Sequence, residues 1–595
     1  MPVRYTTALM LAAADVHLGP VFGVSRAFDH WILAHCPESL YSGFFWNLCL
    51  APLVLVVLAV GLGPAAAPNR WQRRLFLALV LGTLLVARLP MLCYDAFNPD
   101  EAFLLASAMR VPIDPVAYRS FDVMTSGPLN VYARSVPAWF GLPLNYVSSR
   151  LTGTLLVFGT LEFLWLVYRR YLGERAACLA LMPPFCFHIF AGDSDFTHYS
   201  SEHVAIFLAA ATLCLLAAEH RAGSQTGSRR LALAGLLAGS MMFAKLQAIP
   251  LEAALLAISM ALAWRKPRRI PALASVAASA AVVPAAFLTM FLWCGVLPHF
   301  WITYFRKNAA YAGDAALSVY ARILSAWNLL FHLSNLGDYE LALMVVWGIG
   351  LAAAVWAALR YRRMARATRG PLRQAAELAL ASWLLLGAAF IAVATPGREF
   401  MHYLLFLIVP SGLVTASSFL WIRLWLQAGG RRNLGRWAAA GFVLLTCAAP
   451  TVLREHIDDV WDADYFLPAA PLPSAIRSYA TSRDTIVVWG WRSGLYILSS
   501  RAPGTRFADA PLQIEASTYQ QYYRDIYLAD FLRSRPAVFV DAVGPTDFQY
   551  IDRAVAGYET FTGLRQVIAR DYLPAGEIDG ARLFVRRDRL LTGDR

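Results

Sequence analysis

An acidic cluster follows directly on a long apolar run near the start of the chain. Asp95, Asp100 and Glu101 come just after residues 75–93, which Arg88 alone interrupts and which are long enough to cross a bilayer. Carboxylates at the mouth of a membrane segment are costly unless water, a partner or a substrate compensates them. The cluster therefore indicates chemistry at a membrane surface, in which a carboxylate would take the proton of a hydroxyl group.

The same residues also have a purely structural interpretation. Asn98 is a favoured N-cap, Pro99 suits the first helical position, and Asp100 and Glu101 would complement the dipole of a helix that begins there. The two interpretations are compatible, because a carboxylate fixed at the start of a helix is well oriented for catalysis.

The chain has only three lysines, and two of them form a second group of candidate site residues. Lys245 falls near the predicted outer end of a span, and Lys307 lies in a predicted outer loop beside Arg306. Cations on that face oppose the positive-inside bias, and an anionic ligand such as a phosphate would explain them. The alternative is a side chain that snorkels to the interface or pairs with Asp or Glu.

A short turn between two predicted spans carries the third group, Arg398, Glu399, His402 and Tyr403. Arg398 and His402 are four residues apart and would share a face of a helix. Cations here would stabilise a phosphate leaving group, whereas the alternative is a surface pair of Arg398 with Glu399. The turn at 192–203 is rich in Asp, Ser and His, and ordinary turn chemistry explains it better than a metal or substrate contact.

Apolar blocks must position these residues. The chain is 58% hydrophobic and only 15% charged, and its apolar blocks of about 16 to 25 residues match the length of helices that cross hydrocarbon. We predict a polytopic α-helical membrane protein of about twelve spans. The predicted spans are 44–63, 75–93, 150–168, 176–191, 203–219, 231–248, 249–264, 271–296, 340–359, 376–396, 402–422 and 437–453.

The net charge of +13 is a topology signal, because the basic residues cluster in short loops between apolar runs. This distribution argues against a nucleic-acid partner. Placing the clusters on the cytoplasmic side puts the loops 94–149 and 297–339, and everything after about residue 454, on the outer face. The aromatic residues of both loops predict helices in the headgroup region. The spacing of the eight cysteines predicts neither a zinc site nor a disulfide framework.

Three regions follow from this organisation: an N-terminal interfacial segment (1–43), a membrane domain (44–453) and an outer α/β domain (454–595). In the last, residues 485–489, 537–540 and 582–586 predict strands, and 519–533 and 547–558 predict helices. Residues 5–24 make a poor signal peptide and a poor span.

The chain resembles the GT-C superfamily of polyprenyl-phosphate-sugar-dependent glycosyltransferases, above all family 39, which includes protein mannosyltransferases and aminoarabinose transferases. The resemblance covers most of the chain and departs at Ser126–Leu129, where many relatives have a His-Pro-Pro-Leu-type segment. The matching segments are Asp100–Glu101, Ser126–Tyr132, Ser149–Gly153, Lys245–Gln247, Arg398–Tyr403 with Pro410, and Val488–Arg492 with Tyr496.

The resemblance implies a GT-C-like helical bundle with interfacial outer-face helices, located in the cytoplasmic membrane. It also implies that the protein transfers a sugar, with inversion, from a polyprenyl-phosphate donor to a hydroxyl acceptor on the outer face. The acceptor would be a lipid, a glycan or a protein. Some members need a divalent metal, for which Asp122 and Asp193 would be ligands, and others need none, so no cofactor is firmly implied. The resemblance implies these site residues: Asp100 as general base with Glu101 beside it, Lys245, Arg306, Arg398, His402 and Tyr403 at the donor phosphate, and Asp122, Asn130 and Tyr132 in support of the acceptor side or loop.

Two other classes of protein share part of this pattern. A transporter or flippase of lipid-linked sugars would have the multispan body, but transporters place polar groups near the bilayer midplane, often in repeated halves. Here the polar groups gather at one face and no repeat is visible. A non-catalytic envelope assembly protein would explain the α/β domain but not the acidic loop.

Overall fold

The structure is a computed structural model that describes residues 43–63, 69–92, 98–191, 194–222, 228–313, 317–333, 337–360, 366–428 and 471–590. The predicted N-terminal segment before residue 43, the predicted span 437–453 and the boundary between the two domains lie outside these ranges. So do two of the acidic residues considered above, Asp95 and Asp193.

The N-terminal part of the chain is helical and builds a membrane domain. Its helices of nine or more residues are α1 (Gly43–Leu62), α2 (Arg70–Leu92), α3 (Pro99–Ala108), α4 (Pro128–Trp139), α5 (Tyr146–Leu172), α6 (Glu174–Phe190), α7 (His203–Ala222), α8 (Arg229–Gly239), α9 (Ile249–Trp264), α10 (Arg269–Trp293), α11 (Val319–Asn328), α12 (Gly337–Arg360), α13 (Arg366–Ala394) and α14 (Leu405–Ala428). Within the described residues, seven helices are long and apolar enough to cross a membrane. They confirm a multi-pass helical membrane protein. The seven are Tyr146–Leu172, His203–Ala222, Leu246–Trp264, Arg269–Trp293, Leu343–Arg360, Gly370–Ala394 and Met401–Gln427.

The prediction of a continuous span at 231–248 is wrong in its second half. Helix α8 ends at Gly239, and two 3-10 turns, Met241–Phe243 and Leu246–Ala248, flank Lys245, whose backbone is extended (φ −157°, ψ 129°). Gly239 lies so close to α10 that a Cβ there would come 2.1 Å from the carbonyl oxygen of Ala280. At this break the Lys245 N–H still donates to the Met241 carbonyl at 3.0 Å, and the Lys245 side chain reaches the carboxylate of Glu202.

Basic residues gather at one end of the bundle. Arg73 and Arg169 contact Glu174 at 2.8 and 3.7 Å, and Arg265 contacts Glu377 at 3.1 Å. The 27 residues of α5 separate this end from Asn145, the N-cap of the same helix. We call the opposite end, where residues 98–145 lie, the loop end.

Short helices fill the two long loops, as the aromatic composition predicts. Residues 297–313 form a helical turn (Leu297–Phe300), a π-helical segment (Trp301–Arg306) and a further helix (Lys307–Gly313). Trp139 and Trp301 remain 74% and 52% exposed, which suits side chains that sit among lipid headgroups.

The C-terminal domain confirms the predicted small α/β fold. A four-stranded sheet has the order β1-β2-β4-β3, with β1 and β2 parallel and the other pairs antiparallel. Val488 of β1 pairs with Val540 of β2, and both strands are wholly buried. The elements are α15 (Pro471–Tyr479), β1 (Ile486–Trp489), α16 (Gln520–Ser534), β2 (Val538–Asp541), α17 (Thr562–Asp571), β3 (Tyr572–Ile578) and β4 (Ala581–Arg586).

One prediction for this domain is wrong and one strand is missed, both for local reasons. The predicted helix at 547–558 is reduced to Arg553–Ala556 and a 3-10 turn, because the Asp547 carboxylate accepts the backbone N–H groups of Gln549 and Tyr550 and holds a turn there. Strand β3 was not predicted, because its Pro574 and Gly576 flank an irregularity in the pairing that resembles a loop in sequence.

A single apolar core joins the C-terminal domain to the loop end. Tyr118 and Phe300 from the loops share it with Ile486, Val538 and Leu583 from the sheet. Backbone contacts reinforce the junction, since the Asp122 N–H donates to the Arg506 carbonyl at 2.7 Å. The C-terminal domain therefore forms one wall of whatever site the loop end contains.

Candidate active site

Helix α3 presents Asp100 at its first turn. The Asn98 side chain caps the helix by accepting the Asp100 N–H at 2.8 Å, and Pro99 occupies the first helical position. Residues 101–108 are all buried, whereas Asp100 is exposed. The capping interpretation is thus correct, and it leaves the Asp100 carboxylate free to face a substrate.

Glu101, unlike the exposed Asp100, is wholly buried. Arg150 of α5 binds it with contacts of 2.7 Å (Nη2 to Oε2) and 3.0 Å (Nε to Oε1). Burial alone would raise the pKa of Glu101, but the Arg150 guanidinium outweighs it and lowers that pKa. Glu101 therefore fixes the start of α3 against α5, and Asp100 is the exposed carboxylate of the two.

A chain of charged side chains lies at the same end of the bundle. Asp195 accepts the Asn98 amide N–H at 2.8 Å and lies 3.0 Å from Nδ1 of His402. Burial disfavours the charge on Asp195, but the hydrogen bond and the positive charge from His402 lower its pKa. The cap of α3 and the turn that carries His402 are thus tied together through one carboxylate.

Lys245 belongs to the same series of interacting charged side chains. Its Nζ forms an ion pair with Glu202 and donates to Oγ of Ser201 at 2.7 Å, and Nε2 of His402 lies 4.0 Å from the same Glu202. Burial would raise the pKa of Glu202, but Lys245 and His402 hold it at about 2. The cationic ends of Lys245 and His402 therefore converge on one ionised carboxylate.

The neighbourhood of Gly127 explains how Lys245 is held. The Gly127 N–H donates to the Ala244 carbonyl at 2.9 Å, and a Cβ on Gly127 would lie 2.0 Å from the Phe243 carbonyl oxygen. The Asn130 amide donates to the same Ala244 carbonyl at 2.6 Å and to the Ser201 carbonyl at 2.9 Å. A glycine at 127 is therefore required by the close approach of two main chains, and Asn130 is a support for the lysine.

Two tyrosine side chains connect this series of charged side chains to Arg398. The Lys245 ammonium lies 5.1 Å from the ring centre of Tyr403, and the Arg398 guanidinium lies 5.1 Å from that of Tyr311. Tyr311 and Tyr403 are hydrogen-bonded, and the charge of Asp100 acts on both. Asp100 and the cations therefore face a common space.

Arg398 differs from the other cations at the site. Its Nε is buried and has no hydrogen-bond partner, and among the described residues no carboxylate forms an ion pair with it. A guanidinium offers five N–H donors in a planar fork that matches phosphate. Arg398 is therefore the cation at this site that is most available to an anionic ligand.

The structure places the remaining predicted residues around this group. Arg306 donates to the Tyr519 hydroxyl at 2.7 Å, so it meets the C-terminal domain. Asp122 lies 2.7 Å from Nε2 of His299, and the Tyr132 hydroxyl donates to the Pro115 carbonyl at 2.5 Å. Within the described residues, no group of three or more His, Cys, Asp or Glu side chains is arranged to hold a metal ion.

Sequence reasoning missed the importance of Asp195 and Glu202. Both belong to the turn at 192–203, which was interpreted as ordinary turn chemistry. The available signal was the coincidence of several acids and histidines on the predicted outer face, because such a turn needs compensating charges from elsewhere in the bundle.

An apolar cavity of about 710 Å³ opens between the membrane helices beside this site. Leu404, next to Tyr403, lines it, and so do Leu407, Ile408 and Gly412 further along α14. Opposite them stand Trp327 of α11, Trp347 of α12, Trp383 of α13 and Phe187 of α6. The cavity therefore extends along α14 from the residue that follows Tyr403, and its apolar lining suits an aliphatic chain.

No family model matches the chain, and no curated protein matches it. Among solved structures, ArnT from Cupriavidus metallidurans bound to undecaprenyl phosphate aligns with 86% of this chain and 97% of its own, at 14% identity and a TM-score of 0.50. Its apo form aligns with 86% and 98%, at 14% identity and a TM-score of 0.49. The oligosaccharyltransferase of Archaeoglobus fulgidus aligns with 85% of this chain and 73% of its own, at 13% identity and a TM-score of 0.40. The ArnT likeness shows the fold, and the chain therefore has the overall architecture of that structure.

Proposed function

We propose that the chain is an inverting glycosyltransferase that moves a sugar from a polyprenyl-phosphate donor to a hydroxyl acceptor. The observation that carries the proposal is that Arg398, whose charge no described carboxylate pairs, lies in the turn that leads into α14, where Leu404 and Leu407 line an apolar cavity of about 710 Å³. A polyprenyl phosphate is an anion attached to a long hydrocarbon chain, and it needs both features at once. The ArnT whose fold this chain shares was solved with undecaprenyl phosphate bound.

The donor phosphate would lie among Arg398, Lys245, His402 and Tyr403. Arg398 supplies the unpaired guanidinium, and Lys245 and His402 add N–H donors whose positive charges Glu202 and Asp195 balance. Such fixed cations stabilise negative charge that develops on a leaving group. Arg306 stands beside the C-terminal domain and is a candidate for a contact with the sugar-proximal part of the donor.

The reaction would be a single displacement. The acceptor oxygen forms a bond to the anomeric carbon as the bond from that carbon to the phosphate oxygen breaks, and the leaving phosphate keeps the electron pair. Asp100 takes the proton of the acceptor hydroxyl. Glu101 acts as a positioning residue, since its carboxylate is fully engaged by Arg150.

The location follows from the same proposal. The basic end of the bundle would face the cytoplasm, and the loop end would face outward across the cytoplasmic membrane. Donor and acceptor would then meet at the outer surface, beneath the C-terminal domain.

Purified full-length protein incubated with a panel of undecaprenyl-phosphate sugars, together with a detergent extract of envelope lipids and glycans as the source of acceptor hydroxyls, tests the proposal. An enzyme releases free undecaprenyl phosphate, which thin-layer chromatography detects, whereas a transporter or an assembly protein leaves the donor intact. Asp100→Asn is expected to lower release about 10²- to 10⁴-fold, the range for loss of a general base. The matched control is Asp525→Asn, which alters an exposed carboxylate of α16. Release that Asp100→Asn leaves unchanged would remove Asp100 from the mechanism.

A further inference from the structure

The carboxyl ends of β1 and β2 carry a group of side chains that the proposed reaction does not use. In α/β sheets, ligands bind beyond the carboxyl ends of parallel strands, where the following loops diverge. Trp491 follows β1 here, and Asp509 and Gln513 lie in the next loop, whose Ala510 N–H donates to the Gly490 carbonyl at 2.9 Å. We call Trp491, Asp509 and Gln513 the strand-end cluster.

The carboxylates around the strand-end cluster already have structural partners. The Asp547 carboxylate accepts the backbone N–H of Trp491 at 2.7 Å and the backbone N–H of Tyr550 at 2.8 Å. Glu515 accepts the Tyr550 hydroxyl at 3.1 Å and lies 3.8 Å from the Lys307 ammonium. Asp547 and Glu515 therefore stabilise the loops around the strand-end cluster through their own hydrogen bonds.

The members of the cluster lack protein partners. Gln513 is fully buried, and within the described structure neither its Oε1 nor its Nε2 has a hydrogen-bond partner. The same is true of the buried Nε1 of Trp491. Asp509 is 3% exposed, and no hydrogen bond among the described residues involves its carboxyl group. Buried polar groups without partners are rare in native proteins, and those of Trp491 and Gln513 therefore need a reason.

The cluster borders the candidate active site. Asp100 and Asp122 both act electrostatically on Asp509, and the Arg506 carbonyl three residues earlier accepts the Asp122 N–H at 2.7 Å. Burial, with a smaller contribution from these acids, raises the pKa of Asp509 well above its ordinary value. A neutral carboxyl group both donates and accepts hydrogen bonds.

We propose that the strand-end cluster is an acceptor subsite that binds a sugar ring through its hydroxyl groups, an inference that rests on the proposed function. Vicinal hydroxyls donate and accept, which matches the amide of Gln513, the carboxyl group of Asp509 and the indole N–H of Trp491. The Trp491 ring also packs edge-on against Phe548, with ring centres 5.1 Å apart, and Phe548 is 64% exposed. Aromatic faces of this kind suit the C–H face of a pyranose.

Other ligand classes fit the cluster less well. A phosphate would meet the carboxylates of Glu515 and Asp547, which repel it. An ammonium group has no acceptor to offer to the N–H groups of Trp491 and Gln513. A polyhydroxylated ring satisfies all three members, so the acceptor class that we infer is a glycan or a glycolipid.

Saturation-transfer-difference NMR on the full-length protein in nanodiscs tests the inference. The probes are the methyl glycosides of glucose, galactose, mannose and N-acetylglucosamine. We expect at least one to receive saturation from wild-type protein, and Gln513→Leu to weaken its affinity about tenfold or more, because the variant removes both hydrogen-bonding atoms. The matched control, Gln521→Leu, alters an exposed glutamine of α16 and is expected to bind as wild type does.

A second variant protects the test against misfolding. Trp491→Phe keeps an aromatic ring but removes the N–H, and it is expected to weaken binding about threefold to tenfold even if Gln513→Leu is unstable. Failure of every glycoside to bind wild-type protein, or equal binding by wild type and Trp491→Phe, would overturn the inference.

A parallel titration with undecaprenyl phosphate separates this inference from the proposed function. Donor-lipid binding that persists in Gln513→Leu, together with loss of glycoside binding, supports both. Donor-lipid binding with no glycoside binding by the wild type overturns the acceptor subsite alone. Absence of donor-lipid binding by the wild type removes the proposed function, whatever the glycosides do.

Discussion

The buried pair of Glu101 and Arg150 permits a sharp prediction about what holds the candidate base in place. The side chains are 0% and 2% exposed and meet through contacts of 2.7, 3.0 and 3.3 Å. Arg150→Met leaves the Glu101 charge buried without its partner, which costs about 3–5 kcal/mol of folding stability. Since Glu101 adjoins Asp100 in the first turn of α3, the variant should also lose turnover.

Matched variants separate this effect from a general sensitivity of the loop. Arg119 and Asp114 form a similar pair at 2.8 Å in the same loop, but their side chains are 43% and 26% exposed. Arg119→Met should therefore cost only about 0–1 kcal/mol. The double variant Glu101→Leu with Arg150→Met removes both charges and should recover most of the stability that Arg150→Met loses, which gives a large coupling energy.

Equilibrium unfolding in mixed micelles of rising SDS content, followed by tryptophan fluorescence, measures these differences. The reasoning fails if Arg150→Met is no less stable than Arg119→Met. It also fails if the effects of the two substitutions in the double variant simply add.

The remaining predictions concern the cationic side of the site. Because Glu202 has a pKa of about 2 against an ordinary 4.5, its pair with Lys245 stabilises the fold fully above about pH 4.5, and this contribution disappears as the pH falls toward 2. Glu202→Gln should flatten the acid limb of a thermal-stability profile below pH 5, and an unchanged limb would exclude the pair as its source. Gly127→Ala should cost about 1–3 kcal/mol or more, since its Cβ meets a main-chain oxygen at 2.0 Å, whereas Gly82→Ala, with open space around it, should be neutral or stabilising in the same unfolding assay. Arg398→Met should weaken binding of undecaprenyl phosphate about tenfold to a hundredfold, because the variant loses hydrogen bonds to a charged group. Arg398→Lys should restore part of the lost affinity. Equal affinities of wild type and Arg398→Met in a fluorescence titration would contradict the phosphate assignment.

Much of the fold was predictable because its signals are local. Apolar blocks of membrane length, basic loops and alternating short strands each follow from neighbouring residues, and the strands at Ile486–Trp489 and Ala581–Arg586 lie within a residue or so of where the pattern put them. The break after Gly239 was not predictable in this way. It depends on the close approach of Ala280, forty residues later, and an apolar sequence does not reveal that contact.

The candidate site shows the same limit. The Asn98 cap of α3 is encoded within a few residues and was predictable from them, whereas the role of Asp100 as a base stays a prediction. The partner of Glu101 lies 49 residues away, and those of Lys245 lie 43 and 44 residues away. Only tertiary structure distinguishes a carboxylate that is already paired from one that is free, which is why Glu101 and Asp100 looked alike in sequence.

The core that the loop end shares with the C-terminal domain has a consequence for biogenesis. Tyr118 and Phe300 share a core with Ile486 and Leu583, so these loops keep apolar surface uncovered until residues 486–583 have been synthesised. A nascent chain that stalls before residue 583 would hold an unfinished bundle, exposed to proteases and chaperones. The loop end would then become fully packed only after residue 583 has joined the core.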